Sequence, residues 1–77
     1  MEYSSLDTVA LDRDIPEHGL KLGDLGTIVE IYEPNRLELE FVTASGRTVA
    51  LLTVRVDDVR HVADCDLVSV RQFARRA

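Results

Sequence analysis

Two histidines, one cysteine and a group of loop carboxylates are the side chains of this sequence with ligating or acid–base potential. A metal site on His18 and His61 would need a carboxylate such as Glu17 or Asp58 as third ligand. The spacing supports no such site, because one histidine lies in a loop and the other in the last apolar run. His18 reads instead as a structural loop residue whose ring bonds backbone groups of its own connection. His61 reads as a surface strand residue. Cys65 stands between Asp64 and Asp66, and two flanking carboxylates disfavour a nucleophilic thiolate. Asp12, Asp14 and Glu17 share one loop, where paired carboxylates can do acid–base work or bind a divalent cation. They lack the spacing of a calcium loop and read as a charged, exposed connection. Gly19, Gly23 and Gly26 form no phosphate-binding loop, since no glycine–lysine–serine/threonine element occurs and no helix follows Gly26. Their expected task is backbone geometry. No catalytic residue, metal or cofactor is expected.

The elements that must position these residues read as strands. Thr8-Val9-Ala10-Leu11 is the first apolar run. From Asp12 to Asp24 the chain holds too many breakers for a strand, and Ile15, before Pro16, is biased to an extended conformation. Gly26 to Glu33 is the second strand, with apolar residues on both faces. Pro34-Asn35 makes a tight turn. In the third strand Leu37, Leu39 and Phe41 alternate with Glu38 and Glu40, so one face is core and the other water. Thr43-Ala44-Ser45-Gly46 closes a hairpin, with Gly46 left-handed. Arg47 to Val54 is the fourth strand, Asp57-Asp58 one turn of 3₁₀ helix, and Val59 to Val62 the fifth strand. Five short antiparallel strands with a long first connection describe an all-β, SH3-like five-stranded barrel over residues 1–62. An open meander with the C-terminal segment packed over it is the second architecture to weigh.

Residues 63–77 extend beyond that barrel. Asp66 can cap a short helix with Leu67, Val70, Phe73 and Ala74 on one stripe, and with Arg71, Arg75 and Arg76 near its C-terminus. Val68 and Val70 are β-branched and argue against it. Burial of Phe73 decides whether this tail is part of the fold.

Composition narrows the function classes. A chain of 77 residues makes one domain, with a core that leaves roughly 3–5 kcal/mol of net stability. A single cysteine excludes a disulfide framework, so self-association or a partner can matter for stability. An apolar fraction of 45% is too high for disorder, yet no apolar run of about 18 residues exists to span a membrane. The lone thiol and the lack of a secretory signal point to the cytoplasm. A net charge of −5 disfavours nucleic acid as partner. The charge is uneven: residues 1–40 carry ten acidic and three basic side chains, residues 41–77 four acidic and six basic. Tyr3, Tyr32, Phe41 and Phe73 are the whole aromatic inventory, which supplies neither a base-stacking platform nor a groove for proline-rich peptides.

The stretches Asp7-Thr8-Val9-Ala10-Leu11, Asp14-Ile15-Pro16-Glu17-His18-Gly19-Leu20 and Gly23-Asp24-Leu25-Gly26-Thr27-Ile28-Val29-Glu30-Ile31-Tyr32, followed by Leu39-Glu40-Phe41-Val42 and Gly46-Arg47-Thr48-Val49, resemble a family of very short bacterial proteins. That family is known as a domain of unknown function, the DUF4926 type. The resemblance covers roughly residues 6–62 and implies an SH3-like barrel. It also implies an accessory role, in some cases beside toxin-like proteins. Gly23-Asp24-Leu25-Gly26 is similar as well to the start of KOW-type barrels of transcription and ribosomal proteins.

The resulting expectation is a non-enzymatic, protein-binding accessory module, antitoxin-like or immunity-like. Its acidic face, with Glu38 and Glu40, would steer onto a basic partner. Pro16, Glu17 and His18 at the loop tip are expected contacts, as are Arg71, Arg75 and Arg76 of the tail. The alternative is a KOW-type nucleic-acid or ribosome-associated barrel using Arg47, Arg55, Arg60 and the tail.

Overall fold

The computed structural model describes residues 2–73. Five strands form one antiparallel sheet in the order β4-β3-β2-β1-β5: β1 is Thr8–Leu11, β2 Leu25–Tyr32, β3 Arg36–Val42, β4 Thr48–Arg55 and β5 Val59–His61. This is the small all-β architecture expected, with the strand order of an SH3-like barrel. The 3₁₀ turn Val56–Asp58 carries the chain from β4, at one end of the sheet, to β5 at the other. The sheet wraps one core of Val9, Leu11, Ile15, Leu20, Ile28, Leu37, Leu39, Phe41, Ala50, Val54 and Val59.

The two-sided apolar pattern of β2 has a local cause. Ile28 pairs with Leu39 and Ile31 with Leu37, whereas Glu30 pairs with Glu38, so Val29 is an extra residue in the ladder. The bulge switches which parity points inward, and it lets both Ile28 and Ile31 reach the core. A second irregularity places Val49 out of register, between the pairs Phe41–Ala50 and Val42–Thr48. Gly26 is needed for packing rather than for a turn. A β-carbon there would lie 2.9 Å from two ring carbons of buried Phe41.

The long first connection plugs the core instead of floating over it. Ile15 and Leu20 are buried and exchange backbone hydrogen bonds of 2.9 and 3.1 Å, closing a small lasso. Its tip is the 3₁₀ turn Pro16–His18, ended by Gly19 in the left-handed region at φ 72°. Asp14 Oδ1 accepts from the Leu22 N–H at 2.8 Å, and Asp24 Oδ2 from the Lys21 N–H at 2.8 Å. Gly23, at φ 92°, makes the turn that returns the chain to β2.

The expected short helix over the C-terminal extension does not form across residues 63–73. The chain there is irregular after one turn at Asp64-Cys65. Asp66 spends its carboxylate on Arg60 and on its own turn, so it caps no helix. The β-branched pair Val68 and Val70 adds to the preference for extended backbone. Phe73 is half-buried and packs against the core, so this segment is nonetheless part of the fold.

Candidate functional site

The C-terminal segment is a strap clamped at two points. At the first, Arg60 on β5 donates Nη1–H to Asp66 Oδ2 at 2.8 Å and Nη2–H to Oδ1 at 3.0 Å. The Ala63 N–H adds 2.7 Å to Oδ2. These bonds, the one from Arg60 foremost, hold the Asp66 carboxyl down at about 2. At the second clamp Arg71 donates Nε–H to Asp24 Oδ1 at 2.8 Å, and its Nη2–H group bonds both Asp24 Oδ2 and, at 3.1 Å, the Gly19 carbonyl. Burial pushes the Asp24 carboxyl up, but the Arg71 bond and the Lys21 N–H outweigh it and leave it below the ordinary range. Arg71 is raised by the same bond.

Between the clamps the strap turns its apolar side chains to water. Leu67 is 94% exposed and Val70 97%, with Val68 also exposed. Beneath lies an open groove of about 920 Å³, whose rim carries the exposed side chains of Leu22, Leu25, Val42 and Val62. It is a trough between strap and sheet, not the enclosed cavity for which a barrel of this size has little room. Strap and rim together make the largest concentration of exposed aliphatic side chains among the described residues.

The sequence-expected contacts are scattered around this feature. Pro16, Glu17 and His18 are exposed at the tip of the loop lasso. The His18 ring is not hydrogen-bonded to the backbone of its connection as expected. Its backbone N–H closes the turn to the Ile15 carbonyl at 3.0 Å, and the residue is exposed at the loop tip. His61 is on the surface, stacked on the Tyr3 ring at 4.3 Å between centroids. Cys65 is exposed. Glu38 and Glu40 point away from the core but are not bare solvated charges. Glu38 accepts from the Tyr32 hydroxyl at 3.0 Å, which raises the Tyr32 pKa, and Glu40 accepts from the Thr48 hydroxyl at 2.6 Å. Arg71 is at the strap clamp, and Arg75 and Arg76 lie outside the described residues. Among the described residues no three histidine, cysteine or acidic side chains gather at metal-binding distance.

Sequence reasoning missed both clamps. Arg71 and Asp24 are 47 positions apart, and neither carries a local signal of the other. Arg60 and Asp66 are six apart, a spacing that pairs side chains on no regular element.

The model of a domain of unknown function, DUF4926, matches residues 5–61, which hold the whole five-stranded sheet and its loops. The chain belongs to the DUF4926 family. Of the features described above, the loop lasso, Asp24 and Arg60 fall inside the matched region, whereas Asp66, the strap and Arg71 follow it. No curated protein matches the chain, and no solved structure does. No helix among the described residues is long and apolar enough to cross a membrane.

Proposed function

We propose that this DUF4926 protein is a non-enzymatic, protein-binding accessory module of the cytoplasm, antitoxin-like or immunity-like, that engages its partner through the strap. The observation that carries this reading is the exposure of Leu67, Val68 and Val70 on a segment clamped at both ends. A loose tail would expose apolar groups at little consequence. A clamped one presents them in fixed positions, beside the apolar rim of the groove, and removes part of the ordering entropy from the binding step. Each large aliphatic side chain buried in a complex contributes about 1.5–3 kcal/mol. The nucleic-acid alternative is weakened by the same contacts, since the Arg60 and Arg71 guanidinium groups are already paired with carboxylates.

Affinity purification from the native host at low and high salt, with the parent and a Leu67→Asp/Val70→Asp variant, tests the reading. The parent should retain a stoichiometric protein partner in high salt, and the variant should lose it. A partner held equally by both removes the strap from the function. Retention of RNA or DNA instead, released by salt, favours the alternative.

A further inference from the structure

The free edge of β4 has a charge setting unlike the rest of the molecule. On the inner side of the edge strand, Ala50 to Arg55 pair in unbroken register with Arg36 to Phe41 of β3. On the outer side β4 ends the sheet, and no strand among the described residues pairs with it. Exposed edges are ordinarily blunted by proline, lysine, an inward charge or a bulge. From Thr48 to Val54 this edge has no proline and no charged residue, and its one bulge sits at Val49, near its start.

Of the four described cations with no carboxylate closer than 4.0 Å, three gather around that edge, and the fourth, Lys21, is on the first loop. Arg13, Arg60 and Arg71 are each engaged by a carboxylate at 2.9 Å or less. Arg36 and Arg47 have no ion pair among the described residues, and Arg55 has only a 4.0 Å approach to Asp57. Arg36 faces Arg55 across the β3–β4 ladder, and Arg47 precedes β4 by one residue. Between Phe41 and Val56 the sequence has no acidic residue. On a chain of net charge −5, the neutral edge is therefore bracketed by guanidinium groups, roughly 25 Å apart along an extended strand.

We propose that β4 is a docking edge for an extended polypeptide segment with acidic residues at both ends, which adds to the sheet as a sixth, outermost strand. The backbone N–H and C=O groups of the edge supply the ladder, and Arg47 and Arg55, with Arg36 beside it, select the flanking carboxylates. A second copy of β4 is a poor occupant: antiparallel self-pairing about Leu51 sets Arg47 of each copy against Arg55 of the other. A nucleic acid is also a poor one, because Glu38 and Glu40 line the sheet face next to the arginines. Arg47 and Val49 at the start of this edge also line the groove under Leu67–Val70 of the strap, whereas Leu51 to Arg55 do not, so the amides of Leu51 to Arg55 tell the two surfaces apart and either can fail alone.

The test is an NMR titration of the isotope-labelled full chain. The probe is a synthetic peptide of about ten residues, with glutamates at both ends of an alternating threonine–valine run. A lysine-flanked counterpart and a single-stranded oligothymidylate of similar length are the controls. The glutamate peptide should shift the amides of Leu51 to Arg55 and slow their hydrogen exchange. It should bind about tenfold tighter than the lysine peptide and lose about tenfold in affinity to an Arg47→Glu/Arg55→Glu variant. Both positions are exposed, and Arg47→Gln/Arg55→Gln replaces that variant if the reversal impairs folding. No binding at millimolar peptide, equal binding of the two peptides, shifts confined to Leu67–Val70, or equal binding of the oligonucleotide on the same residues each overturns the proposal.

Discussion

Replacing Arg71 with alanine opens the second clamp, and its cost follows from the geometry. The guanidinium makes two bonds to the Asp24 carboxylate and a third, of 3.1 Å, to the Gly19 carbonyl. An exposed ion pair contributes 0.2–1 kcal/mol, roughly, and a buried bond to a charged group about 1.5–3. With side-chain exposures of 34% for Arg71 and 18% for Asp24, this pair falls between the two, at about 1 kcal/mol. Freeing the strap also releases half-buried Phe73, which adds about 1 kcal/mol more. Of a total of roughly 3–5 kcal/mol for a domain of this size, the loss is near half. Urea unfolding followed by far-ultraviolet circular dichroism should show it, as should a melting temperature lower by roughly 10 °C. The pH profile carries a second signature. The folded-state pKa of Asp24 is lowered, so its contribution is present above the unfolded value near pH 4 and is lost as pH falls toward the folded one. Arg71→Ala should flatten the parent's loss of stability below pH 4. A variant within about 0.3 kcal/mol of the parent, with the Phe73 ring still packed, would refute the clamp.

Further outcomes follow from other contacts. Gly26→Ala should cost about 2 kcal/mol, because the new methyl lies 2.9 Å from the buried Phe41 ring; Phe41→Leu should recover part of it in a double-mutant cycle by urea titration. Asp66, held at about 2, should stay ionised and keep its turn closed down to about that pH, so the protection of the Ala63 amide relative to its intrinsic exchange rate should fall only there, and already at neutral pH in Asp66→Asn. Tyr32→Phe should leave the melting temperature nearly unchanged, since the hydroxyl bond to Glu38 is on the solvated face; a drop beyond roughly 5 °C contradicts that placement.

The sequence by itself determined the strand layout, because the relevant forces act within a few residues. Alternation marks β3, glycine at positive φ marks the turns at Gly23 and Gly46, and Asp57-Asp58 lies in the 3₁₀ turn before β5. The two-sided pattern of β2 was legible as a pattern, but its cause, the bulge at Val29, depends on pairing with β3. Tertiary structure alone decided the rest. The role of Gly26 is set by Phe41, fifteen positions on, and that of Asp24 by Arg71. The tail has the apolar stripe of a helix, yet Asp66 and Arg71 each make ion-pair bonds to the barrel that fix the backbone between them as a strap. Helical spacing is a local signal, and two guanidinium–carboxylate clamps, one of them spanning 47 positions, with a docked Phe73 outweigh it. The candidate site is therefore not a motif. It arises where Asp66 and Arg71 are fastened to β5 and to the first loop, leaving Leu67, Val68 and Val70 exposed between them.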